Sequence, residues 1–94
     1  MGIIDRKDLQ DAFKKEARSL IKKIEKGLGR PNDYPRMLRL FRYAHTLKGI
    51  SGACGYYGIE RRAKSITEIF RFAKDEKIEI GPKDKVSIRR SLKV

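Results

Sequence analysis

Apolar residues recur every three or four positions along most of this chain, which is the spacing of one face of an α-helix. They predict a first helix over residues 8–28, and Gly27, Gly29 and Pro31 indicate its end because glycine suits a helix C-terminus and proline cannot continue a helix. The apolar positions of this segment are Leu9, Ala12, Phe13, Ala17, Leu20, Ile21, Ile24 and Leu28.

A second helix is predicted over residues 35–54. Asn32 or Asp33 is the candidate N-cap, and Pro35 suits the first turn. The predicted buried stripe consists of Met37, Leu40, Phe41, Ala44 and Leu47, together with Ile50 or Ser51. His45 follows Ala44 and lies about 100° farther around the helix. We therefore expect its ring at the edge of the stripe, exposed to solvent.

Two further helices are predicted, over residues 59–74 and 83–93, after a turn at 55–58 and a break at Gly81-Pro82. In the first of them one side carries Ile59, Ala63, Ile66, Ile69, Phe70 and Ala73. In the second, Ile88 and Leu92 suit a helix, although Val86, Ile88, Leu92 and Val94 also fit the period of a strand. Short loops between amphipathic helices predict an all-α fold, an antiparallel up-down four-helix bundle with a short fourth helix. We expect one domain over residues 1–94.

Composition narrows the class of protein. No stretch approaches the roughly 20 apolar residues that span a bilayer, and the N-terminus lacks the hydrophobic segment of a signal peptide. A single cysteine, Cys54, excludes an intramolecular disulfide and argues against a zinc site. The sequence therefore predicts no metal site and no membrane contact, and a cytoplasmic location.

The chain is strongly basic, with 24 Lys and Arg against 12 Asp and Glu and a formal net charge of +12. Such a balance favours acidic partners. The cations are spread along the chain without aromatic interleaving of the kind that stacks bases, which argues against nucleic acid. A basic helical module that binds nucleic acid or an acidic protein, with His45 incidental, stays the alternative function.

The candidate chemistry lies around the only histidine, His45. Residues three, four and seven apart share one strip of a helix surface, so His45, Lys48, Gly49 and Gly52 share such a strip. A neutral imidazole is a good nucleophile towards phosphorus, and a nearby ammonium group can stabilise the phosphoryl oxygens. Glycine inside a helix costs about 1 kcal/mol relative to alanine, so two of them indicate a need for clearance. Close packing between helices is the other explanation for the glycines.

The run Phe41-Arg-Tyr-Ala-His-Thr-Leu-Lys-Gly-Ile-Ser-Gly-Ala-Cys-Gly-Tyr56 resembles the histidine phosphotransfer (HPt) domain, and most closely the P1 domain of CheA-type chemotaxis kinases. That family shows the pattern H-[ST]-[LI]-K-G-x-[AS]-G-x-x-G-[FY], and every fixed position is satisfied here. The likeness covers the chain from Asp8 to Pro82. It implies a helical bundle of four or five helices with the histidine exposed on the second.

The resemblance implies a role for each matching residue. His45 would be phosphorylated, Lys48 would stabilise the phosphoryl group, and Gly49 and Gly52 would leave clearance for the docking protein. The family's glutamate that orients the imidazole corresponds to Thr67, which lacks a carboxylate, and Lys64 would add a second cation one turn earlier. The departure at Thr67 leaves open a degenerate relative that keeps the bundle without transferring phosphate.

The partners implied are the catalytic domain of a histidine kinase and the receiver domain of a response regulator. The chain would be a phosphorelay intermediate in two-component signalling and not an enzyme, with no cofactor, since the sequence carries no nucleotide-binding motif. The resemblance also leaves open that the chain is a fragment of a CheA-like kinase. The basic surface, including Arg39 and Arg42, would speed encounter with the acidic pocket of a receiver.

Overall fold

The computed structural model describes residues 6–29 and 33–93 of the chain, without the side chain of Arg6. It contains four α-helices within those ranges and no strand, which confirms the all-α prediction. The helices are α1 (Arg6–Leu28), α2 (Tyr34–Ala53), α3 (Tyr57–Glu76) and α4 (Pro82–Ser91). These bounds lie within two residues of the predicted ones. The C-terminal segment is helical, so a strand there is excluded for residues 82–91.

The start of α2 follows the predicted chemistry. Asp33 is its N-cap, and the carboxylate accepts a hydrogen bond from the backbone N–H of Arg36 at 2.8 Å. Pro35 lies in the first turn, where a missing N–H costs nothing. The other candidate cap, Asn32, and Pro31 lie outside the described residues. After Cys54 the chain turns at Gly55, whose φ of 82° suits glycine.

Gly27 has a packing role that the sequence analysis did not anticipate. It lies inside the last turn of α1, and a Cβ at this position would lie 2.6 Å from Leu40 Cδ2. Gly27 therefore lets Leu40 of α2 approach the backbone of α1. Only Gly29 lies beyond the helix, in the turn that follows it.

Paired contacts show that α1 and α2 run antiparallel. Between α1 and α2, Lys23 lies over Tyr43 while Gly27 meets Leu40, so the numbers rise on one helix as they fall on the other. α2 and α3 form the most extensive helix pair. Arg62, near the start of α3, donates a hydrogen bond to the carbonyl oxygen of Lys93, just after α4, at 3.0 Å.

The core holds the apolar stripes of all four helices, and it includes two polar residues. Ser51 and Thr67 are fully buried, and their hydroxyls donate to the carbonyl oxygens of Leu47 and Ala63 four residues earlier. The buried apolar residues are Phe13, Ala17, Leu20, Ile24, Leu28, Met37, Leu40, Ala44, Leu47, Ala63, Ile66, Phe70, Ala73, Ile80, Ile88 and Leu92.

The apolar face of α1 is not buried at its start, where Leu9 is 47% exposed and Ala12 is exposed as well. Phe13 is the first core residue, and its ring stacks on Tyr56 at a centroid distance of 4.3 Å. Tyr56 lies in the loop between α2 and α3, so these two helices end at this level and leave the preceding turns of α1 uncovered.

Within the described ranges, none of the helices is both long and apolar enough to span a bilayer.

Candidate functional site

His45 lies in the middle of α2 with its side chain exposed, while the preceding Ala44 is fully buried. This is the placement expected for a residue at the edge of the buried stripe. Within residues 6–29 and 33–93, the imidazole has one ring neighbour, Phe41, one turn earlier, at a centroid distance of 5.9 Å and an interplanar angle of 46°. The ring thus combines solvent access with packing on one side.

Lys48 and Gly49 extend the exposed strip by one turn. Lys48 is half-buried, and within the described part of the chain its ammonium group has no hydrogen bond or ion pair. Gly49 is exposed, and a Cβ built there meets nothing within 4 Å. The surface beside His45 is therefore open, and it carries the Lys48 ammonium group, which is unpaired among the described residues.

Gly52, the second glycine of the strip, has a different environment. A Cβ at Gly52 would lie 2.9 Å from Glu60 Cδ and would also collide with Glu60 Oε2. The carboxylate of Glu60, in the first turn of α3, therefore occupies the space that the absent side chain leaves. Gly52 admits a group of this chain, whereas Gly49 leaves space to the outside.

The register of α2 against α3 shows which residues share a level with His45. Gly52 meets Glu60, and Phe41 meets Arg71, whose Cζ lies 5.7 Å from the ring centroid. Phe41 lies as many residues before Gly52 on α2 as Arg71 lies after Glu60 on α3, so the two helices run antiparallel without a shift between these contacts. His45 accordingly lies level with Thr67.

By the same register, Lys48 lies level with Lys64, which is exposed. The structure therefore brings the second predicted cation to the turn of α3 that adjoins Lys48. The two lysines therefore lie on neighbouring helices, one turn along from His45 and Thr67.

Thr67 is fully buried, and its hydroxyl donates to the carbonyl oxygen of Ala63 at 2.7 Å. Among the described residues no hydrogen bond joins Thr67 to His45. Its neighbour Glu68 is exposed and pairs with Arg71 at 3.2 Å. In the part of the chain that the structure describes, no carboxylate therefore forms a hydrogen bond with the imidazole.

The two predicted arginines differ in their relation to His45. Both are exposed. Arg42 precedes His45 by three residues and shares its strip. Arg39 lies six residues before it, about 120° around the helix. The structure therefore places Arg42 at the site and Arg39 on the adjoining surface.

Phe41 and the α3 cations beside it are the part of the site that sequence reasoning missed. The Lys74 ammonium lies 5.2 Å from the Phe41 ring centroid, in addition to the Arg71 guanidinium. Phe41 was expected in the buried stripe, but it is only half-buried. No local pattern indicates this arrangement, because it depends on the register between two helices.

The arrangement suits the acceptance of an anionic group by a nucleophile. It offers an exposed imidazole, an uncommitted ammonium group and open surface beside them. Among the described residues no cluster of three or more His, Cys, Asp or Glu side chains is placed to hold a metal ion. The chemistry available to these side chains is attack by the ring nitrogen.

Comparison with known proteins gives one finding. A family model described as the Hpt domain matches residues 8–89, which include all of α2 and α3 and most of α1 and α4. The searches of curated proteins and of solved structures give no match.

Proposed function

The chain belongs to the Hpt domain family, and on that premise we propose that His45 is its phosphorylated residue. Hpt domains are phosphotransfer modules of two-component signalling, without a catalytic site of their own, and they interact with histidine kinases and with response-regulator receivers. The single observation that supports His45 is its exposure at the centre of α2, beside Lys48 and the open surface at Gly49.

The chemical step requires a ring nitrogen with a free lone pair. This nitrogen attacks the phosphorus, an N–P bond forms, and the bond from phosphorus to the donor oxygen breaks. That oxygen leaves with the electron pair, and it belongs to ADP when a kinase supplies ATP or to an aspartate when a receiver is the donor. In onward transfer, a receiver aspartate oxygen attacks the phosphorus and the electron pair of the N–P bond returns to the ring.

Lys48 and Lys64 have an electrostatic role in this proposal. Phosphoryl transfer depends mainly on positioning and on stabilisation of the charge on the equatorial oxygens. The Lys48 ammonium is one turn from the imidazole on the same strip, and the register places Lys64 level with it on α3. Neither ammonium group has a hydrogen bond or ion pair with another described residue, so both are available to the phosphoryl oxygens.

The two glycines have different roles in the proposed clearance for a docking protein. Gly49, with open space above it, lets the backbone of a docking protein approach α2. Gly52 instead leaves room for the Glu60 carboxylate beside α2. Thr67 closes the core beneath His45 and leaves the ring without a carboxylate partner.

The partners in this proposal are a histidine kinase catalytic domain as donor and a receiver domain as acceptor. The match of the His45–Tyr56 run to the CheA P1 pattern favours a kinase of the chemotaxis type, acting in the cytoplasm. The cationic surface that includes Arg39, Arg42 and Lys48 is complementary to the acidic pocket of a receiver.

The test is incubation of the chain with such a kinase domain and labelled ATP, followed by addition of a receiver. We expect label on the chain that is lost in acid and kept in base, and its loss to the receiver. His45→Gln should abolish labelling, whereas Thr46→Gln, a matched change at the next exposed position of α2, should retain it.

Two outcomes would contradict the proposal. Label that persists in His45→Gln would place the phosphoryl group on another residue. A chain that stays unlabelled but retards nucleic acid in a strongly salt-dependent manner, unaffected by His45→Gln, would establish the basic binding module instead.

A further inference from the structure

Among the described residues, the His45 ring packs against one aromatic side chain, that of Phe41. Phe41 lies one turn earlier on α2, with its ring centroid 5.9 Å from that of the imidazole and the planes at 46°. This distance lies within the range of about 4.5–7 Å of aromatic pairs, and the tilt is intermediate between stacked and edge-to-face. One side of the imidazole is thereby covered, while the rest of the side chain remains exposed.

Phe41 is itself held by two cations of α3. Arg71 Cζ lies 5.7 Å and Lys74 Nζ lies 5.2 Å from the Phe41 ring centroid, both within cation–π distance. Arg71 is paired with Glu68 at 3.2 Å and Lys74 with Asp75 at 2.6 Å. The cations are thus restrained by their own helix, and they restrain Phe41 in turn.

No other described side chain restrains the orientation of the imidazole. Thr67, level with His45 on α3, is buried and donates to Ala63, and Glu68 is paired with Arg71. An imidazole without a hydrogen-bond partner samples several side-chain rotamers unless packing favours one of them. Phe41 supplies that packing.

We propose that Phe41, held by Arg71 and Lys74, is the positioning residue that sets the orientation of the His45 ring for phosphoryl transfer. This inference rests on the proposed function of His45. An aromatic contact thereby takes the place of an orienting carboxylate. Because misplacing a reacting group by about 1 Å can cost up to 100-fold in rate, loss of the Phe41 ring should slow transfer.

The chain offers a matched control at Tyr43. Tyr43 is also a half-buried aromatic residue of α2 beneath a cation, since Lys23 Nζ lies 5.6 Å from its ring centroid. It is two residues from both Phe41 and His45, which places it about 200° around the helix from each. Tyr43→Leu therefore reproduces the loss of a ring under a cation without touching His45.

The experiment measures phosphorylation by the kinase domain and, separately, the proton chemical shifts of the His45 ring by NMR. We expect Phe41→Leu to reduce the rate by about tenfold, corresponding to a modest misplacement of the ring. It should also remove the ring-current shift of the imidazole protons. Phe41→Tyr should restore both, and Tyr43→Leu should change neither.

The inference is overturned if Phe41→Leu is phosphorylated at the wild-type rate, or if Tyr43→Leu loses as much activity as Phe41→Leu. The NMR measurement separates this inference from the proposed function. If the kinase does not label the wild-type chain but Phe41→Leu still shifts the imidazole protons, the ring contact stands and the transfer function fails. If the imidazole protons do not respond to Phe41→Leu, the positioning role fails even where His45 accepts label.

Discussion

The two sides of α2 make similar contacts, but these contacts have different roles. On the side that faces α1, Lys23 lies over Tyr43 and Leu40 fills the space above Gly27. On the side that carries His45, Arg71 and Lys74 lie over Phe41 and the Glu60 carboxylate fills the space above Gly52. We call these the α1 side (Lys23, Gly27, Leu40, Tyr43) and the His45 side (Phe41, His45, Lys48, Gly49, Gly52).

The difference lies in what the His45 side leaves unoccupied. There Gly49 has nothing within 4 Å of a built Cβ, and the imidazole beside it is exposed. The α1 side has no such opening, because the glycine it contains is covered by Leu40. Ring, cation and glycine therefore stabilise helix packing on one side of α2, and on the other side they surround the exposed imidazole of His45.

The largest effect that separates the two sides is expected from their lysines. Lys48→Gln removes the cation one turn from His45, and a hydrogen bond to a charged group contributes about 1.5–3 kcal/mol. We therefore expect phosphorylation by the kinase domain to slow by at least about tenfold, with the stability of the fold unchanged. Lys23→Gln changes the net charge equally on the α1 side and should leave the rate within about twofold. Equal losses in the two variants would show that only total charge matters.

The glycines should differ in the sign of their effect on the free energy of unfolding. Gly49→Ala adds a methyl group to open surface, so it should stabilise the chain by up to about 1 kcal/mol through helix propensity. Gly27→Ala places a Cβ 2.6 Å from the buried Leu40 Cδ2, and overpacking of this kind costs about 1–3 kcal/mol. Urea denaturation followed by circular dichroism measures both. Stabilisation by Gly27→Ala would contradict the close approach of Leu40.

The smallest effect is expected from salt. If the cations around the His45 side, among them Arg39, Arg42 and Lys64, steer a receiver to the site, transfer should slow a few-fold between about 0.05 M and 0.15 M ionic strength, as the Debye length shortens. Stopped-flow measurement of transfer to the receiver tests this. A rate that does not change with salt would exclude steering, and it would leave the chemistry at His45 untouched.

The helices and the exposure of His45 could be predicted from the sequence because both depend on residues close together in the chain. The 3.6-residue period gives the buried stripe of α2, and Asp33 and Pro35 give its start. Leu9 shows the limit of this reasoning, because it fits the period and yet lies where no neighbouring helix covers it.

The contacts of the site depend on the register between helices, which periodicity does not supply. The placement of Glu60 against Gly52 and of Arg71 and Lys74 over Phe41 follows from how α3 is aligned with α2. The burial of Thr67 was missed for a related reason. Its hydroxyl is satisfied within its own helix by Ala63, so a polar residue can occupy a core position without a partner elsewhere.

The most direct measurement of the central claim is the intact mass of the chain after reaction with phosphoramidate, compared with a peptide that spans residues 42–49. We expect the folded chain to gain one phosphoryl group faster than the peptide does, on His45, and to lose it in mild acid. A chain that gains no phosphoryl group, or gains it no faster than the peptide, would contradict the claim that this face of α2 promotes phosphorylation of its imidazole.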